Sequence, residues 1–330
     1  MILDNLPCET SIAEVKSDRT LRLKTTKKCP WKCYFCHNEG NENSNDIILN
    51  DNFFYYMKML KDKLNYSDIH LTGGEPTLFN HCADLVKKLS DIGYSVKMTS
   101  NAQCSIEILK LLKESGLISI NISMHTLDAK KLGAMQKPKM SKEWGMEAIK
   151  KQIAIINCAK DIGLRVKINS VVQNNEDVDN IIKFCYKNKI ELRLLNDLNP
   201  LSLSTEKIIE ALKQRSSIIS KVNISNNSSS YSFDVVTNEN LNLRIKSIRK
   251  HLLNSICTKC NKRTECEEWF YGIRIEQQND ELFVRLCLHR NDYPAVQNIK
   301  DFIESEQLNE IIKQSGENIL GTDSVLSQTE

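Results

Sequence analysis

Three cysteines within eight residues constrain this chain more than any other feature of its sequence. Cys29, Cys33 and Cys36 stand in TTKKCPWKCYFCHNEG with the spacing C-x3-C-x2-C. Three thiolates this close together can bind three irons of a [4Fe–4S] cluster and leave one iron open to a small molecule. The alternatives are an incomplete zinc site or cysteines without a shared role. Zinc sites usually come as paired CxxC or CxxC…HxxxH sets, so the spacing favours the cluster.

Composition adds a few restrictions on the class of protein. A chain of 330 residues with 41% hydrophobic residues can form one large α/β domain and a smaller one. A formal net charge of +3 is too small to indicate binding to nucleic acid or to a membrane surface. No stretch reaches the ~20 consecutive apolar residues of a membrane span, and MILDNLPCETSIAEVKSD does not read as a signal peptide. We therefore expect a cytoplasmic protein with no nucleic-acid or membrane partner.

The twelve cysteines indicate metal or catalytic use, because the cytosol keeps thiols reduced and disulfides are rare there. Seven of them are clustered along the chain: Cys29, Cys33, Cys36, Cys257, Cys260, Cys266 and Cys287. The other five are scattered, and we expect them to be small buried apolar side chains: Cys8, Cys82, Cys104, Cys158 and Cys185.

From residue 21 onward, short β-type runs alternate with amphipathic helical segments. We predict strands at 21–26, 68–76, 95–102, 117–126, 165–172 and 190–197. The helices between them are predicted at 47–64, 83–93, 105–116, 142–163 and 178–188. This alternation predicts right-handed parallel βαβ units, and six units fit a partial (β/α)6 barrel of TIM-like architecture. The functional residues of such barrels lie at the C-terminal ends of the strands. The cysteine loop follows the first predicted strand and the glycine turn at 73–76 ends the second, so both lie at that end of the barrel.

These motifs together resemble the radical S-adenosylmethionine (SAM) superfamily. The resemblance rests on the three cysteines, on Phe35 before the last of them, and on the GGEP turn, and it extends over roughly residues 20–300. It implies the partial barrel fold, a [4Fe–4S] cluster on Cys29, Cys33 and Cys36, and SAM on the open iron. It also implies reductive cleavage of SAM to a 5′-deoxyadenosyl radical that abstracts hydrogen, with a flavodoxin- or ferredoxin-like reductant.

The resemblance also implies which residues contact SAM. In the GGEP motif the backbone and the acidic residue contact the methionyl amino group, and these positions are Gly73, Gly74, Glu75 and Pro76, with Phe35 in the cysteine loop. The fourth predicted strand alternates an apolar face with a polar face that carries Ser119, Asn121, Ser123 and His125. Ser123 and Asn169 are implied near the ribose or carboxylate of SAM. Thr99 and Asn101 are further candidates, and for all four a purely structural hydrogen-bonding role is the alternative.

Basic residues also fall on the predicted inner faces of the strands. They are Arg22, Lys24, Lys97, Lys167 and Arg193. Lys and Arg are almost never fully buried unless they are paired. Either these residues line a cavity for an anionic substrate, or they pair with protein carboxylates, or the predicted register is off by one residue on some strands.

A second cysteine set lies near the C-terminus. Cys257, Cys260, Cys266 and Cys287 have the spacing C-x2-C-x5-C-x20-C, and YGIRIE and LFVRLC around QQND predict a β-hairpin there. The set is similar to the SPASM domain and its shortened twitch form, as in the GTP cyclase family of molybdopterin biosynthesis. This likeness implies one auxiliary [4Fe–4S] cluster, while a four-cysteine zinc site is the alternative. Binding by all four cysteines would give an electron relay or a structural element, whereas binding by three would leave an open iron for substrate.

We therefore predict five segments along the chain. They are an N-terminal extension (1–20), the barrel (21–200), a helical and polar connection (201–254), the auxiliary-cluster domain (255–300) and a C-terminal helix with a polar tail (301–330). In the connection, TEKIIEALKQRSSIISKV predicts one helix and NISNNSSS predicts a surface loop, or else a lid over the cavity.

The function expected from these features is an oxidoreductase or lyase reaction on a small anionic molecule. Cyclisation, dehydrogenation or rearrangement of a nucleotide or sugar derivative fits the basic inner faces and the short auxiliary domain. The GTP cyclases themselves end in a diglycine, whereas this chain ends in VLSQTE. The alternatives are crosslinking or epimerisation of a ribosomally made peptide and, outside catalysis, an iron–sulfur sensor or electron carrier.

Overall fold

The computed structural model describes residues 13–36, 44–172, 175–197, 204–266 and 268–316. Within these ranges, thirteen strands form a single sheet. The strands are β1 (Ala13–Lys16), β2 (Thr20–Thr26), β3 (Asp68–Gly73), β4 (Ser95–Ser100), β5 (Leu117–Ser123), β6 (Arg165–Val171), β7 (Glu191–Leu195), β8 (Ile218–Ser225), β9 (Ser230–Val236), β10 (Asn242–Ile248), β11 (Arg274–Gln278), β12 (Glu281–Arg285) and β13 (Val296–Asn298). Their order in the sheet is β1-β8-β9-β10-β7-β6-β5-β4-β3-β2-β11-β12-β13.

The helices of the described residues connect and cover this sheet. They are α1 (Asp51–Leu64), α2 (Cys82–Asp91), α3 (Ile106–Glu114), α4 (Ala129–Ala134), α5 (Lys142–Asp161), α6 (Asn175–Asn188), α7 (Ser204–Lys213), α8 (Asn254–Cys257), α9 (Ile299–Ile303) and α10 (Glu306–Gly316), with a 3₁₀ turn at Pro76–Leu78. Among these helices, none is long and apolar enough to cross a membrane.

The middle of the sheet confirms the predicted α/β partial barrel. Strands β2 to β7 are neighbours in chain order, and every adjacent pair is parallel. Ile120 and Ile122 of β5 are fully buried in the main hydrophobic cluster, together with apolar residues of the crossover helices such as Leu85 and Leu109. Parallel strands need such crossover connections, and the helices bury one face of the sheet. The polar side chains of β5 therefore face the other side, which we call the lumen.

The sheet extends beyond the barrel at both edges. Strand β10 pairs in parallel with β7, and β9 and β8 follow as antiparallel neighbours. At the other edge β11 pairs in parallel with β2 and forms with β12 the predicted antiparallel hairpin. The C-terminal cysteine region is thus joined to the first barrel strand through main-chain hydrogen bonds.

The prediction for the connection between barrel and hairpin is wrong in two places. The predicted helix at 205–222 ends at Lys213, and a strand begins at Ile218. The chain turns at Ser216, which has φ +46°, and the β-branched residues after it suit a strand better than a helix. The serine-rich run is not a surface loop, because it joins β8 to β9 with Asn227 only 1% exposed. The Asn227 side chain accepts from Asp18 N at 2.8 Å and donates to Asp18 O at 2.9 Å. These hydrogen bonds satisfy the polar atoms of Asn227 in a buried turn.

The predictions for the scattered cysteines, the C-terminal tail and the domain boundaries have different outcomes. Three of the scattered cysteines, Cys82, Cys104 and Cys185, are buried as expected, and Cys158 is partly buried. Cys8 and the predicted polar tail beyond residue 316 lie outside the described residues. The five domain boundaries stay predictions.

Candidate cofactor and substrate site

The cysteine loop leaves β2 and is fastened to the segment that follows α4. Cys33 and Gln136 form an isolated antiparallel bridge. Around it, Tyr34 N donates to Met135 O at 3.0 Å and Lys137 N donates to Lys32 O at 2.9 Å. These main-chain bonds fix the middle of a loop that has no regular secondary structure. Cys29 and Cys33 are partly buried and Cys36 is exposed, so the three thiols lie on one short loop with an open side.

Two side-chain amides direct N–H groups at the cysteine sulfurs. Asn101 Nδ2 lies 3.6 Å from Cys29 Sγ, and Gln136 Nε2 lies 3.5 Å from Cys33 Sγ. Gln136 Oε1 accepts the Lys32 backbone N–H at 2.9 Å and lies 3.9 Å from Cys33 Sγ, so the amide nitrogen is the atom closer to the sulfur. Burial raises the pKa of both thiols to about 11, so metal binding would have to release their protons. Donors aimed at sulfur suit cysteines that ligate as thiolates.

Two glycines let the end of β3 cross the start of the cysteine loop. Gly74 N donates to Thr26 O at 2.7 Å, and Glu75 N donates to Lys28 O at 2.8 Å. A Cβ built on Gly73 would lie 2.4 Å from Thr26 O, and one on Gly74 would lie 2.3 Å from Lys28 O. Only glycine permits main chains to approach so closely. The GGEP turn and the cysteine loop are therefore interlocked through their backbones.

The side chain of Glu75, which the resemblance places against the amino group of SAM, is surrounded by protein donors. It is fully buried, and its carboxylate accepts from Asn101 N (2.6 Å), Ser100 Oγ (2.9 Å) and both N–H and hydroxyl of Thr77 (3.2 and 2.7 Å). Burial raises the pKa of this carboxyl, although the same donors oppose the rise. The carboxylate caps the turn that begins at Pro76 and ties it to the end of β4. In the structure Glu75 thus positions the strand ends beside the cysteine loop.

The ends of β5 and β6 carry the predicted ligand-contacting polar residues. Ser123 and Asn169 are direct cross-strand partners. The Oδ1 atom of Asn169 is buried and has no hydrogen-bond partner within the described residues. Buried polar atoms are normally satisfied, so this acceptor is suited to an ammonium or hydroxyl of a bound ligand. Thr99 is already engaged, because its hydroxyl lies 2.7 Å from His70 Nε2.

Phe35 packs edge-to-face on His125 with the ring centroids 4.9 Å apart. His125 is 7% exposed, and its Nδ1 accepts the Val171 backbone N–H at 3.1 Å. Burial lowers the pKa of His125 to about 4, so the imidazole is neutral at physiological pH. With Nδ1 as acceptor, the proton is assigned to Nε2. A neutral ring and Phe35 together form the wall beside the last cysteine of the loop.

Known proteins share this sequence over the barrel and beyond it. Residues 23–185 match the family described as the Radical SAM superfamily. The chain is 33% identical over 191 residues to a protein of Sulfolobus acidocaldarius named Probable GTP 3′,8-cyclase, which covers 56% of this chain and 58% of that protein. It is 28% identical over 292 residues to a Saccharolobus islandicus protein of the same name, with 87% of each chain aligned.

The chain belongs to the radical SAM superfamily. The structure of Streptococcus suis SuiB bound to S-adenosylmethionine has the same fold, with a TM-score of 0.55 and 18% identity over 89% of this chain and 65% of that one. Membership implies a [4Fe–4S] cluster and SAM. The donor set fits them, because N–H donors are directed at two of the three thiols. At the end of β6, Asn169 Oδ1 adds a buried acceptor without a hydrogen-bond partner among the described residues.

The predicted basic residues of this radical SAM enzyme share the lumen face. In register, Arg22 lies opposite His70, His70 opposite Lys97, and Lys97 opposite Ser119. Lys167 lies opposite Asn121, Arg193 opposite Asn169, and Lys24 opposite Thr72. Side chains opposite one another on neighbouring strands project to the same side of a sheet. All five basic residues are therefore on the side away from Ile120 and Ile122.

Among the described residues, protein carboxylates lie beside Lys97, Lys167 and Arg193. Lys97 Nζ lies 2.8 Å from Asp68, and Lys167 Nζ lies 2.8 Å from Glu191. The Nε atom of Arg193 is 3.6 Å from Glu191, too far for a hydrogen bond, and it is buried. Glu191 also accepts from Arg165, so it serves three cations at once. Around Glu191 the positively charged side chains therefore outnumber the carboxylate.

The four C-terminal cysteines line one pocket. Cys257, Cys260, Cys266 and Cys287 share it with apolar side chains, among them Phe270, and with Arg290. Burial raises the pKa of Cys257 and Cys287, and the other thiols nearby raise both further. Among the described residues, no group of three His, Cys, Asp or Glu side chains is arranged to hold a metal ion as it stands.

Several residues of the site were missed by sequence reasoning. They are Glu191, Gln136, Arg244, Lys246 and Tyr271. Alternation in NLRIKSI would have placed Arg244 and Lys246 on one face, had residues 242–248 been predicted as a strand. Gln136 and Tyr271 lie outside regular elements, where sequence periodicity gives no information.

Proposed function

We propose that this radical SAM enzyme acts on a small anionic substrate, with a nucleotide as the first class to test. The observation that carries the proposal is the row of cations on the lumen face, contributed by strands across the whole barrel. The names of the aligned relatives, both Probable GTP 3′,8-cyclase, support a guanine nucleotide as the first candidate. A small substrate fits a lumen lined by short polar side chains and long basic ones.

The cofactor half of the site would be held at the C-terminal ends of β2 to β6. Cys29, Cys33 and Cys36 would ligate the cluster, and the Gly73–Gly74 turn would bring main-chain groups to SAM. Asn169 Oδ1 would accept from the amino or ribose hydroxyl groups of SAM. When bound, the cluster and SAM supply hydrogen-atom abstraction from an unactivated C–H bond. The role of the protein is to orient the substrate and to exclude water from the lumen.

The substrate half would be formed by β6, β7 and β10. Arg193 lies opposite Arg244, and Arg244 makes a paired contact with Asp234 at 2.6 and 2.9 Å. The Nε atom of Arg193 is buried and has no hydrogen-bond partner in the described part of the chain, so Arg193 is the cation best placed to bind a phosphate or carboxylate. A guanidinium presents paired donors that match such oxygens.

For the C-terminal pocket we propose one auxiliary [4Fe–4S] cluster bound by all four cysteines. Cys257, Cys260, Cys266 and Cys287 line the same pocket, and Trp269 N donates to Cys266 Sγ at 3.3 Å. Thiolate sets of this kind hold such clusters in proteins. Four ligands leave no open iron, so this cluster would transfer electrons or stabilise the fold rather than bind substrate.

The test is hydrogen transfer from a labelled nucleotide. Reconstituted enzyme is incubated anaerobically with SAM, a reductant and GTP deuterated on the ribose, and deuterium in 5′-deoxyadenosine is read by mass spectrometry. We expect deuterated 5′-deoxyadenosine only when the labelled nucleotide is present. Unlabelled 5′-deoxyadenosine at an unchanged rate, or label drawn only from a deuterated peptide fraction, would overturn the nucleotide and leave a peptide substrate.

Two variants distinguish a loss of substrate binding from the general effect of removing one positive charge. Arg193→Met should raise the KM for the nucleotide at least tenfold, since a charged hydrogen bond contributes ~1.5–3 kcal/mol. Arg165→Met is the matched control, because Arg165 pairs with the same Glu191 but its side chain is 69% exposed. Equal KM values for the two variants would contradict a role for Arg193 in the lumen.

A further inference from the structure

Tyr271 is surrounded by cationic side chains. It precedes β11 in the segment that follows Cys266. Its phenol oxygen accepts from Lys246 Nζ at 2.7 Å. The guanidinium of Arg22 lies 4.8 Å from the ring centroid, that of Arg274 lies 5.7 Å away, and Lys246 Nζ itself lies 5.3 Å away. Cations at these distances are attracted to the face of an aromatic ring.

The charged groups that act on this phenol come from several elements. Arg22 belongs to β2, Arg274 to β11 and Lys246 to β10. Arg193 of β7 also interacts electrostatically with Tyr271. Asp18, before β2, acts in the opposite direction, and among the described residues the Glu268 carboxylate also lies 4.0 Å from Arg274. Strands from opposite parts of the sheet thus contribute positive charge to one point in the lumen.

This environment makes Tyr271 an unusually acidic phenol. Burial raises its pKa, but Lys246 and Arg22 outweigh burial and bring the pKa to about 8. The hydrogen bond from Lys246 acts in the same direction, because it stabilises the phenolate. Tyr231 of β9 shows the opposite case, since burial raises its pKa to about 12.

We propose that Tyr271 is a substrate-binding residue whose phenolate is the internal counter-ion of Arg22, Lys246, Arg274 and Arg193, and that an anionic substrate replaces it there. This proposal rests on the proposed function, because it requires that the substrate is an anion bound in the lumen. Above pH 8, where the phenolate predominates, the substrate anion takes over the four cations and the phenolate takes up one proton from solvent to become a neutral phenol. Below pH 8 most of the phenol is already neutral, and binding takes up little proton. Substrate binding and protonation of Tyr271 are therefore coupled.

The sign of the coupling follows from linkage. The anion binds best when Tyr271 is protonated, so binding must raise the pKa of this residue above its ligand-free value of about 8. Affinity is highest below pH 8 and falls as the pH rises from the ligand-free to the ligand-bound pKa. A rise of one unit corresponds to about a tenfold loss of affinity across that range.

The experiment is a tyrosinate absorbance titration of the cluster-loaded enzyme. The wild-type spectrum minus that of Tyr271→Phe isolates one phenol among the nine tyrosines. It is recorded from pH 6.5 to 10.5 alone, with GTP, and with inorganic tripolyphosphate. We expect a midpoint near 8 without ligand and about one unit higher with either bound probe. Isothermal titration should show an affinity that falls about tenfold between pH 7 and 9.5 in wild type and less in Tyr271→Phe.

Tyr231→Phe is the matched control, because it removes another largely buried phenol of the same sheet. Its difference spectrum should show no titration below pH 10.5, since the pKa of Tyr231 is about 12. A signal near pH 8 in this control would assign the acidic phenol to another residue and overturn the proposal.

The outcomes separate this proposal from the proposed function. A midpoint at or above 10, or a midpoint near 8 that bound GTP does not move, overturns the role of Tyr271 and leaves a nucleotide substrate standing. A shift with tripolyphosphate when GTP does not bind supports Tyr271 and overturns the nucleotide. If neither probe binds to the enzyme, both proposals fail.

Discussion

The two cysteine sites of this protein are built in different ways. The first loop is held by main-chain bonds to distant segments, with the GGEP turn on one side and Gln136 on the other. The C-terminal set lies within residues 257–287, in a pocket of apolar side chains, with a backbone N–H as donor to Cys266. The first site therefore depends on the assembled barrel, whereas the second depends mainly on its own stretch of chain.

This difference matters for what each site can do. The exposed third cysteine of the first loop leaves room for a small molecule beside a bound cluster. The side-chain amides near its sulfurs would tune the reduction potential of that cluster. The C-terminal pocket is lined by four thiols, apolar side chains, Arg263 and Arg290, and under the proposed four-cysteine ligation it would serve electron transfer or structure. The following predictions test this contrast.

The largest expected effect is the complete loss of one site without the other. Cys33→Ala should remove about four irons per chain, the content of one such cluster, and abolish 5′-deoxyadenosine formation. Cys266→Ala should remove iron from the auxiliary site only and keep the spectrum of the SAM-binding cluster. Iron analysis with electron paramagnetic resonance and product assay measures both. SAM cleavage by Cys33→Ala would contradict the assignment of the first loop.

The second prediction concerns the interlocked backbones at the first site. Gly74→Ala places a Cβ 2.3 Å from Lys28 O, a main-chain atom that no rotamer can move away. We expect a loss of about 3 kcal/mol in the free energy of unfolding, as for severe overpacking, together with weaker SAM binding. Denaturant unfolding and isothermal titration of the two proteins measure these effects.

Gly163→Ala is the control for this substitution. Its φ is +72° and nothing lies within 4 Å of the new Cβ, so only conformational strain of about 1 kcal/mol is expected. SAM affinity should stay at the wild-type value in this control. Equal losses of SAM affinity in both variants would show that the close crossing at Gly74 is not what shapes the site.

The first site was also the more predictable of the two from sequence. Its spacing, the GGEP turn and the alternation of strands fixed the barrel and located the loop, because period-two patterns and short motifs are local properties. The use of Glu75 could not be predicted, since its carboxylate is satisfied by Ser100 and Asn101, which are distant in sequence. A carboxylate in a motif does not reveal which donors the fold will bring to it.

The region between the barrel and the hairpin was the least predictable. Its strands carry serine, asparagine and lysine, and TEKIIEALKQRSSIISKV continues a helical pattern beyond the true helix end at Lys213. Pairing with β7 and β1 makes these residues strands, which is a tertiary effect that overrides local preference. For that reason Arg244 and Lys246, and with them the surroundings of Tyr271, became visible only in the structure.

The third prediction uses one buried histidine from each site. His125 packs on Phe35, and His251 lies 6.3 Å from Phe270, a wall of the C-terminal pocket. Burial lowers the pKa of each to about 4 from an ordinary value of 6.5. Each contributes stability that is complete above pH 6.5 and is lost as the pH falls toward 4, because the folded state resists protonation. Both sites should therefore loosen in acid.

The measurement is the free energy of unfolding at pH 7 and at pH 4 for His125→Phe, His251→Phe and wild type. Each substitution should reduce the acid-induced loss of stability by about 3 kcal/mol, the value of two to three pKa units. Comparing the change with pH removes any constant cost of the substitution itself. Unchanged acid sensitivity in His125→Phe would mean that this ring is not held neutral.

The smallest expected effect distinguishes side-chain from main-chain control of the two clusters. Gln136→Met removes the N–H donor that lies 3.5 Å from Cys33 Sγ. Hydrogen bonds to ligating sulfur favour the more negative, reduced state, so their loss lowers the reduction potential. A net hydrogen bond of about 1.4 kcal/mol corresponds to a tenfold fall in the ratio of reduced to oxidised cluster, or about 59 mV for one electron. Potentiometric titration followed by electron paramagnetic resonance should show this shift in the SAM-binding cluster and none in the auxiliary one. Gln307→Met removes a buried amide that bonds Gln297 and Glu306 rather than a cysteine sulfur, and it should shift neither cluster. A shift of both clusters by Gln136→Met would mean that the two sites are not separately controlled.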